Sequence, residues 1–434
     1  MLASAHRRHA LALTLVAASA LVVWYSNQIA PHIHDLTGGW GQAYLFPRMT
    51  PVGADFRDGV YYPGTLLSRG DDPYSAPALW YPPFSVLAFL PYQLFDPGRA
   101  YSIQVLLQSL LNLACVWMAV RITCLSSPDR ASPEGPQGVP DARLPVLGVC
   151  LAFLSISSYG YLFSVERGNF DIYTMALALA GLWILLRSPR RLWLQVICFS
   201  AAAHLKVYPA VFLILLFWKH GRGSVVPVLV VNTALLLCIG PGPAQHFIER
   251  LIGVAATTAS WVGNHSAASF GQMVNDYLGA RGLPPMPGVV LLAPPVLIWL
   301  GSLALLLRRG FSGHGAVWLF AASVPLMNLV PATSHDYKLV LLGAPLSILL
   351  VALLQEYVRS GRRLPFAQLI LACIMLVFLS VSYVGLPSIL GNKYPFVLGL
   401  EALLLWAAGT ARSPADLAAA VVPGRPPGGA AAGL

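Results

Sequence analysis

Side chains that could transfer a proton or hold an anion are few in this chain, and most lie in short polar stretches. Charged residues make up only 10% of the 434 residues, whereas soluble domains have about 25%. The first stretch, "ADFRDGVYY", contains Asp55 and Asp58. A carboxylate beside an apolar segment could take a proton from a hydroxyl group, as a general base does. Asp55 is thus a candidate base, with Asp58 one helical turn away as a candidate helper, and a solvated loop is the alternative for both.

The stretch "WYPPF" adds two aromatic rings further along the same polar region. Trp80 and Tyr81 could stack on a sugar ring, or they could anchor the chain at the level of the lipid headgroups. The two prolines that follow favour the start of a short helix.

The stretch "VERGNFD" has four polar side chains at the edge of two apolar segments: Glu166, Arg167, Asn169 and Asp171. Charges at such a depth are usually functional or paired. An internal ion pair, either Glu166–Arg167 or Arg167–Asp171, would merely cap helix ends. The stretch therefore predicts either a binding site or a structural pair.

Two further stretches contain cations. Lys206 lies in the apolar run "AAAHLKVYPA", and His335 and Lys338 lie in "TSHDYK". A compact ammonium group is a good phosphate ligand, although Lys206 could instead snorkel to the membrane surface. His335 could donate to a phosphate or hydroxyl, or relay a proton, unless it is an ordinary loop histidine.

A later polar patch around Asn264 and His265 could hold an acceptor, on what we interpret as amphipathic interfacial helices. The six cysteines are scattered, and no pair has the spacing of metal ligands. The sequence contains no Walker loop, Gly-rich dinucleotide turn or HExxH motif. These patterns predict neither a metal nor a nucleotide site.

Long apolar segments position these stretches. Apolar residues make up 57% of the chain, and their runs are continuous, whereas the strands of a β-barrel alternate polar and apolar residues. Segments long enough to cross a bilayer lie near 11–30, 100–123, 144–165, 170–187, 192–219, 224–240, 287–307, 315–333, 337–357, 365–385 and 395–411. The predicted fold class is an all-α polytopic membrane protein.

Charge bias settles two ambiguous segments. The segment 82–95 is short for a span, and 192–219 is long and is interrupted by "HLKVYP". If 82–95 lies on or dips into the outer membrane surface and 192–219 crosses twice, turning at Lys206, the basic clusters fall in the cytoplasm. This topology has about twelve spans with both ends inside. The net charge of +10 then reflects cytoplasmic loops rather than a nucleic-acid partner.

This topology predicts two large outer loops, at about 31–98 and about 241–286, on the same side as the candidate residues. The N-terminal run resembles a signal peptide, but its length and the terminal Trp24 and Tyr25 favour a retained first helix. Residues 1–412 would form one membrane domain, and 413–434, rich in Pro, Gly and Ala, a disordered cytoplasmic tail.

Three stretches resemble glycosyltransferase family 87 of the GT-C superfamily. "DFRDGVYYPGTLLSRGDDPYSAPALWYPPFSVLAFLPYQLF" is similar to the family's first outer loop, with an acid–aromatic pair, then G-x-D-P-Y and Y-P-P. "RGNFDIYTMALALAGLWILLR" is similar to its G-N-x-N-type turn and following helix, and "LKVYPAVFLILLFWK" to its L-K-x-x-P segment. Asp171 departs from the pattern, because the family has asparagine there. Order, spacing and chain length all fit the resemblance.

The resemblance implies a GT-C-type fold and transfer of mannose, another hexose or arabinofuranose from a polyprenyl-phosphate donor to a lipid or glycan acceptor. It implies inversion, no nucleotide, and an active site on the extracytoplasmic face of the plasma membrane. By position, Asp55 matches the family's catalytic base and Lys206 the lysine near the donor phosphate, and His335 matches a late histidine of the cavity more loosely. We expect no cofactor and no metal, because local cations could stabilise the leaving phosphate.

Candidate donor-phosphate ligands are Lys206, Arg167 and Lys338, and candidate sugar or acceptor contacts are Asp58, Trp80, Tyr81, Glu166, Asn169, Asp171, Asn264 and His265. The alternative function is a transporter or flippase of lipid-linked sugars. That class favours internal repeats and broken helices near the membrane midplane, whereas these polar groups collect at one face.

Overall fold

The computed structural model describes residues 2–29, 52–126, 144–255, 260–382 and 388–410. Within these ranges the chain is helical, and the only β pairing is an isolated bridge between Asn264 and His335. The predicted all-α class is confirmed for this part of the chain. The predicted disordered tail, 413–434, lies outside the described residues, as do residues 30–51 of the predicted first outer loop.

The α-helices are α1 Leu2–Trp24, α2 Ala54–Phe56, α3 Tyr62–Ser68, α4 Pro83–Phe89, α5 Pro97–Ser126, α6 Leu144–Ser157, α7 Tyr159–Arg167, α8 Asp171–Arg187, α9 Leu192–Leu205, α10 Leu213–His220, α11 Val225–Leu236, α12 Pro241–Ala255, α13 Ala267–Gly279, α14 Val289–Arg308, α15 Gly313–Leu329, α16 Gly343–Ser360, α17 Arg363–Ser380, α18 Ser388–Gly391 and α19 Tyr394–Thr410. Short 3₁₀ or π turns extend several of them, including Arg57–Tyr61, Pro73–Ser75, Leu90–Leu94, Tyr208–Phe212 and Asp336–Leu342.

Six helices of the described residues are long and apolar enough to cross a membrane, or up to seven if the bent pair α6 and α7 counts as one span. They are Arg8–Gln28, Pro97–Ser126, Tyr208–Leu236, Val289–Arg308, Asp336–Ser360 and Arg363–Ser380. The chain is thus a multi-pass membrane protein by length and composition. That criterion supports about half of the predicted twelve spans.

The run Tyr208–Leu236, which meets the criterion by length and composition, is not one straight helix, because it doubles back on itself at Gly221. Nε2 of His220, at the end of α10, lies 2.8 Å from Oε1 of Gln195, near the start of α9. Oδ1 of Asn232, in α11, lies 3.1 Å from Nε2 of His204, near the end of α9. The helices α10 and α11 therefore run in opposite directions along α9. The reversal occurs at Gly221, whose positive φ of 57° suits glycine. The predicted turn at Lys206 is present, and so is the break between the predicted segments 192–219 and 224–240.

The first helix belongs to the bundle. The amide of Asn27, in the π turn after α1, donates to the backbone oxygens of Ser157 at 2.9 Å and Ser380 at 2.7 Å. The amide is fully buried and satisfies carbonyl groups at the ends of two other helices, so losing its hydrogen bonds would cost stability. This packing places α1 and its π turn inside the described helical bundle.

The segment 82–95 forms α4 and the 3₁₀ turn Leu90–Leu94, together too short to cross a bilayer. The segment 54–68 is also helical, so the predicted first outer loop does contain short helices. An aromatic cluster packs this loop on the bundle. Within the loop, the ring centroids of Phe56 and Tyr92 lie 5.3 Å apart, edge to face. The ring centroid of Phe89 lies 4.8 Å from that of Phe170, which belongs to the bundle. Such pairs stabilise by about 1 kcal/mol beyond their buried area.

Candidate active site

Five polar stretches that are far apart in the sequence meet at one place. They are the segment of Asp55, the turn with Tyr81, the "RGNFD" stretch, the turn after α9 with Lys206, and the 3₁₀ turn with Lys338. Asn169, Asp171, Lys206 and Lys338 are buried, whereas the side chains of Asp55 and Arg167 are 18% and 19% exposed. The hydrogen bonds of the buried groups are made away from bulk water, where they are strong and where their loss is costly. This cluster is the candidate active site.

Backbone geometry at Gly168 sets up the cluster. Helix α7 ends at Arg167, and Gly168 adopts a left-handed φ of 67° that satisfies the last carbonyls of the helix. A Cβ at Gly168 would stand only 2.5 Å from Cβ of Phe56. The backbone N–H of Gly53 also donates to the backbone oxygen of Glu166 at 2.6 Å. The glycine therefore permits the close approach that places Asp55 beside Arg167.

The carboxylate of Asp55 is held by Arg167. Nε of Arg167 donates to Oδ1 of Asp55 at 3.1 Å, and Nη2 donates to the same oxygen. The other oxygen, Oδ2, accepts only a long hydrogen bond of 3.3 Å from Asn169 among its described contacts. Because one oxygen is fixed and the other is weakly engaged, Oδ2 is the better placed to accept a proton.

Asn169 links the acid to the lysine. Its Nδ2 faces Asp55, and its Oδ1 accepts from Nζ of Lys206 at 2.5 Å. Oδ1 also accepts from the backbone N–H of Asp171 at 3.3 Å. One amide side chain thus sets the separation of the candidate base and the candidate phosphate ligand.

Lys206 is buried rather than snorkelling. Its Nζ lies 2.6 Å from Oδ1 of Asp171, and the same oxygen accepts from the hydroxyl of Tyr208. Oδ2 of Asp171 has no hydrogen-bond partner among the described residues. Burial lowers the pKa of the Lys206 ammonium, and the adjacent Asp171 opposes that shift. The charged residues of "RGNFD" thus pair with other parts of the chain: Arg167 pairs with Asp55, and Asp171 pairs with Lys206.

Three aromatic rings surround the ammonium of Lys206. Ring centroids of Phe170, Tyr81 and Tyr337 lie 4.7, 5.0 and 5.4 Å from Nζ. Cation–π contacts of this kind favour the charged form of the lysine and fix its direction. Phe170 and Tyr337 were not predicted from the sequence, although each directly adjoins a predicted residue.

Lys338 differs from the other two cations. Its Nζ donates to the backbone oxygen of Thr333 at 2.7 Å and to Oγ of Ser334 at 3.2 Å, and it lies 4.8 Å from the ring of Tyr208. Each of these described partners is uncharged. A buried ammonium group whose direct contacts are all neutral is unfavourable, so Lys338 would gain from a bound anion.

His335 is held as a neutral imidazole. Its Nδ1 accepts from Nε1 of Trp261 at 3.1 Å, which leaves the ring proton on Nε2. Burial, and then the nearby Lys338, lower the pKa of His335 to about 4. At neutral pH this side chain can donate a hydrogen bond from Nε2, but it does not supply a fixed positive charge.

Asn264 and His265 contact the residues on either side of His335 and are not exposed to solvent. Both are fully buried. Oδ1 of Asn264 accepts from the backbone of Ser334 at 2.8 Å, and His265 lies 3.0 Å from Asp336. The expectation that they touch a sugar is not favoured by these positions. Their hydrogen bonds tie the segment after Trp261 to the turn that carries His335.

The remaining predicted residues lie around the cluster. Asp58 is on the surface in an ion pair with Arg57 at 2.7 Å, away from the acid it was expected to help. Glu166 is largely buried, and its Oε2 has no hydrogen-bond partner among the described residues. The ring of Tyr81 packs edge to face on Phe170 at 4.6 Å, and Trp80 is about half exposed beside it.

An apolar groove of about 630 Å³ opens beside the cluster. It is lined by α4 and the turn after it, by α5 and α8, and by Leu205, the neighbour of Lys206. Along α5 the lining extends from Ile103 to Met118, which at 1.5 Å per residue is about 22 Å. A polar cluster and a long apolar groove therefore lie side by side.

Among the described residues, no three His, Cys, Asp or Glu side chains come together as a metal site would require. In comparisons with known proteins, the family model described as glycosyltransferase family 87 matches residues 79–334, more than half of the chain. None of the curated proteins matches the chain.

Proposed function

The chain belongs to glycosyltransferase family 87, and from that premise we propose that it moves a sugar from a polyprenyl-phosphate donor to a lipid or glycan acceptor. The transferred sugar would be mannose, another hexose or arabinofuranose. The membership indicates a membrane glycosyltransferase, and the multi-pass helices agree with it. The arrangement of the candidate site supports the finer assignment.

One observation carries the proposal. Asp55 and Lys206 bind opposite ends of the Asn169 side chain, and Leu205, the neighbour of Lys206, lines the groove. A candidate base for the acceptor, a candidate cation for the donor phosphate and a groove that could take an apolar tail thus lie side by side. These are the three features that transfer from a lipid phosphate needs.

The length of the groove favours a long lipid. Its wall follows α5 for about 22 Å, whereas one leaflet of a bilayer core is about 15 Å deep. The volume of about 630 Å³ is in the range of sites that bury most of a ligand. A polyprenyl chain fits such a groove better than a short or soluble carrier does.

The reaction would be a direct displacement with inversion. The acceptor hydroxyl oxygen attacks the anomeric carbon, and Asp55 takes the hydroxyl proton on Oδ2. The bond from the anomeric carbon to the phosphate oxygen breaks, and its electron pair stays with the departing polyprenyl phosphate. That phosphate gains one negative charge, which nearby cations would stabilise.

Two cations fit different tasks in that step. Lys206 is already paired with Asp171, so it would orient the phosphate at the mouth of the groove. Lys338 contacts only neutral groups among its described partners, so it would neutralise the charge that develops. Arg167 would keep Asp55 in place, and Nε2 of His335 would donate to the phosphate or to a sugar hydroxyl.

The finer topology is also part of the proposal: about twelve spans in a GT-C-type arrangement, with the site on the extracytoplasmic side of the plasma membrane. The reversals along α9 support it, because Lys206 lies at one end of this helix and the basic turn with Lys219 and Arg222 at the other. Basic turns are typical of the cytoplasmic side.

Trp80, Tyr81, Glu166 and Asn169 are then the candidate sugar contacts.

A donor panel tests the proposal. Purified protein in lipid nanodiscs would be incubated with labelled polyprenyl-phosphate sugars, and with nucleotide sugars as the comparison, together with a lipid extract as acceptor. We expect label transfer from at least one polyprenyl-phosphate sugar and none from nucleotide sugars. Transfer from nucleotide sugars alone would contradict the proposed donor class.

A further inference from the structure

The helix α12 grips the first loop through one arginine. Nη1 of Arg250 donates to the backbone oxygens of Ala76 at 2.8 Å, Leu79 at 3.0 Å and Pro77 at 3.3 Å, and Nη2 donates to that of Tyr74. Four carbonyls on one guanidinium fix the backbone of 74–79 as a tight cap. Only the planar fork of arginine can serve several acceptors in this way.

The cap leads directly to the candidate site. The hydroxyl of Tyr74 donates to the backbone oxygen of Tyr81 at 2.6 Å, and the ring of Tyr81 lies 5.0 Å from Nζ of Lys206. Cζ of Arg250 also lies 5.6 Å from the ring centroid of Trp80, which is about half exposed. Arg250 thus supports both aromatic rings without touching Lys206 or Asp55 in any described contact.

A second contact joins the same two elements. Nδ1 of His246, one helical turn before Arg250, lies 2.7 Å from Oδ2 of Asp72, two residues before the cap. Residues four apart share a helix face, so one face of α12 holds both ends of the segment 72–80. The ring of Phe247 packs on Tyr74 at 6.4 Å and adds apolar contact.

Another face of α12 is apolar and exposed. Ile248, Leu251 and Ile252 stand at the spacing of one helix face, and Ile252 is 69% exposed. In a membrane protein, a helix with one basic, polar face and one exposed apolar face is typical of the bilayer surface. The bilayer would fix the depth of α12, and Arg250 would transmit that position to the loop.

We propose that Arg250 is a positioning residue for sugar transfer: it clamps the segment 72–80 to α12 and so holds Trp80 and Tyr81 against the donor site. This inference rests on the proposed function for its catalytic part. The clamp itself concerns only the loop and the helix, so it can be tested without any activity.

The structural test uses limited proteolysis. Arg69 lies in the exposed turn just before the cap, and trypsin cleaves after it only as fast as the loop opens. The variants are Arg250→Gln, which removes the fork and the charge, and Arg250→Lys, which retains only the charge. The control is Arg281→Gln, an exposed arginine in the turn just after α13 whose described contacts are with Tyr277.

We expect Arg250→Gln and Arg250→Lys to be cleaved after Arg69 about ten times faster than wild type while the bulk of the protein stays folded. Arg281→Gln should be cleaved at the wild-type rate. Unchanged cleavage in Arg250→Gln would overturn the clamp. Full protection in Arg250→Lys would also overturn it, because charge alone would then suffice. If Arg250→Gln fails to fold, Arg250→Lys alone decides the point.

The functional test separates binding from chemistry. With a labelled polyprenyl-phosphate sugar, Arg250→Lys should raise KM for the donor about ten-fold, in line with the loss of an aromatic contact, and should change kcat much less. A fall in kcat with unchanged KM would contradict a positioning role at the donor. Absence of any transfer by wild type would contradict the proposed function, yet the proteolysis result would still decide on the clamp.

Discussion

The side-chain oxygen of Asn169 lies 2.5 Å from the ammonium nitrogen of Lys206. The amide nitrogen of the same side chain faces Asp55 at 3.3 Å, so the candidate base and the candidate phosphate ligand are coupled through one residue. Such a bridge has two separable halves, because one end is an acceptor and the other a donor. Two substitutions can therefore distinguish them.

Asn169→Asp keeps an oxygen for Lys206 but loses the donor to Asp55 and adds a second carboxylate beside it. We expect kcat to fall about 10- to 100-fold while KM for the donor changes little. Asn169→Ala removes both halves, so it should also raise KM for the donor. Steady-state kinetics of both variants check this, and identical defects in the two would contradict the divided role.

Asp55→Asn should abolish transfer while leaving the fold intact. The amide cannot accept the proton, and loss of a general base lowers rates by about 100- to 10,000-fold. Arg167 can still donate to the remaining side-chain oxygen, so we expect normal insertion and normal elution in detergent. The matched control is Asp71→Asn, an exposed aspartate of the same loop, which should keep wild-type kcat. Full activity of Asp55→Asn would refute the mechanism.

Gly168→Ala tests the backbone contact that positions Asp55. The added Cβ would meet Phe56 at 2.5 Å, so the segment with Asp55 should move away from Arg167. A shift of about 1 Å can lower the rate about 100-fold. Gly70→Ala is the control, because Gly70 also has a positive φ, 82°, but its Cβ would meet nothing within 4 Å. Both variants bear left-handed strain of about 1 kcal/mol, and only Gly168→Ala should lose kcat. Equal losses would show that strain alone matters.

Lys338→Met removes the cation that has no charged partner among its described contacts. We expect KM for the donor to rise, or kcat to fall, by about 10- to 100-fold, as for a lost hydrogen bond to a charged group. The control is Lys219→Met, near the C-terminal end of α10. Nζ of Lys219 lies 4.3 Å from the ring centroid of Phe311. Assays with the polyprenyl-phosphate donor check both, and wild-type kinetics of Lys338→Met would assign the phosphate to Lys206 alone.

The sequence predicted that these polar stretches face the same side of the membrane, but not which side chains would pair. Apolar run lengths and charge bias placed Asp55, Arg167 and Lys206 on one side, and the turn at Lys206 is present. Arg167 and Asp171 are four residues apart, a spacing that on one helix would bring them together. Gly168 ends α7 between them with a left-handed φ, so they point to different partners. That break depends on a contact with Phe56, more than a hundred residues away.

Asn264 and His265 show the opposite limit. In the sequence they look like an exposed polar patch, because a stretch of mixed polar and small residues predicts surface. Their burial comes from hydrogen bonds to Ser334 and Asp336, about seventy residues later. No local pattern contains that information. The same contacts hold the backbone of the turn that carries His335.

His335→Gln should change how stability depends on pH. The ordinary pKa of histidine is 6.5, and in the folded protein that of His335 is about 4. Between these values the unfolded chain binds a proton that the folded protein does not, so wild type should lose about 3 kcal/mol as pH falls from about 6.5 to about 4. Glutamine does not titrate, so this component should vanish in the variant. Thermal unfolding in detergent between pH 7 and pH 4.5 checks this: the wild-type Tm should fall more steeply with acid than that of His335→Gln, and parallel curves would contradict a neutral, buried His335.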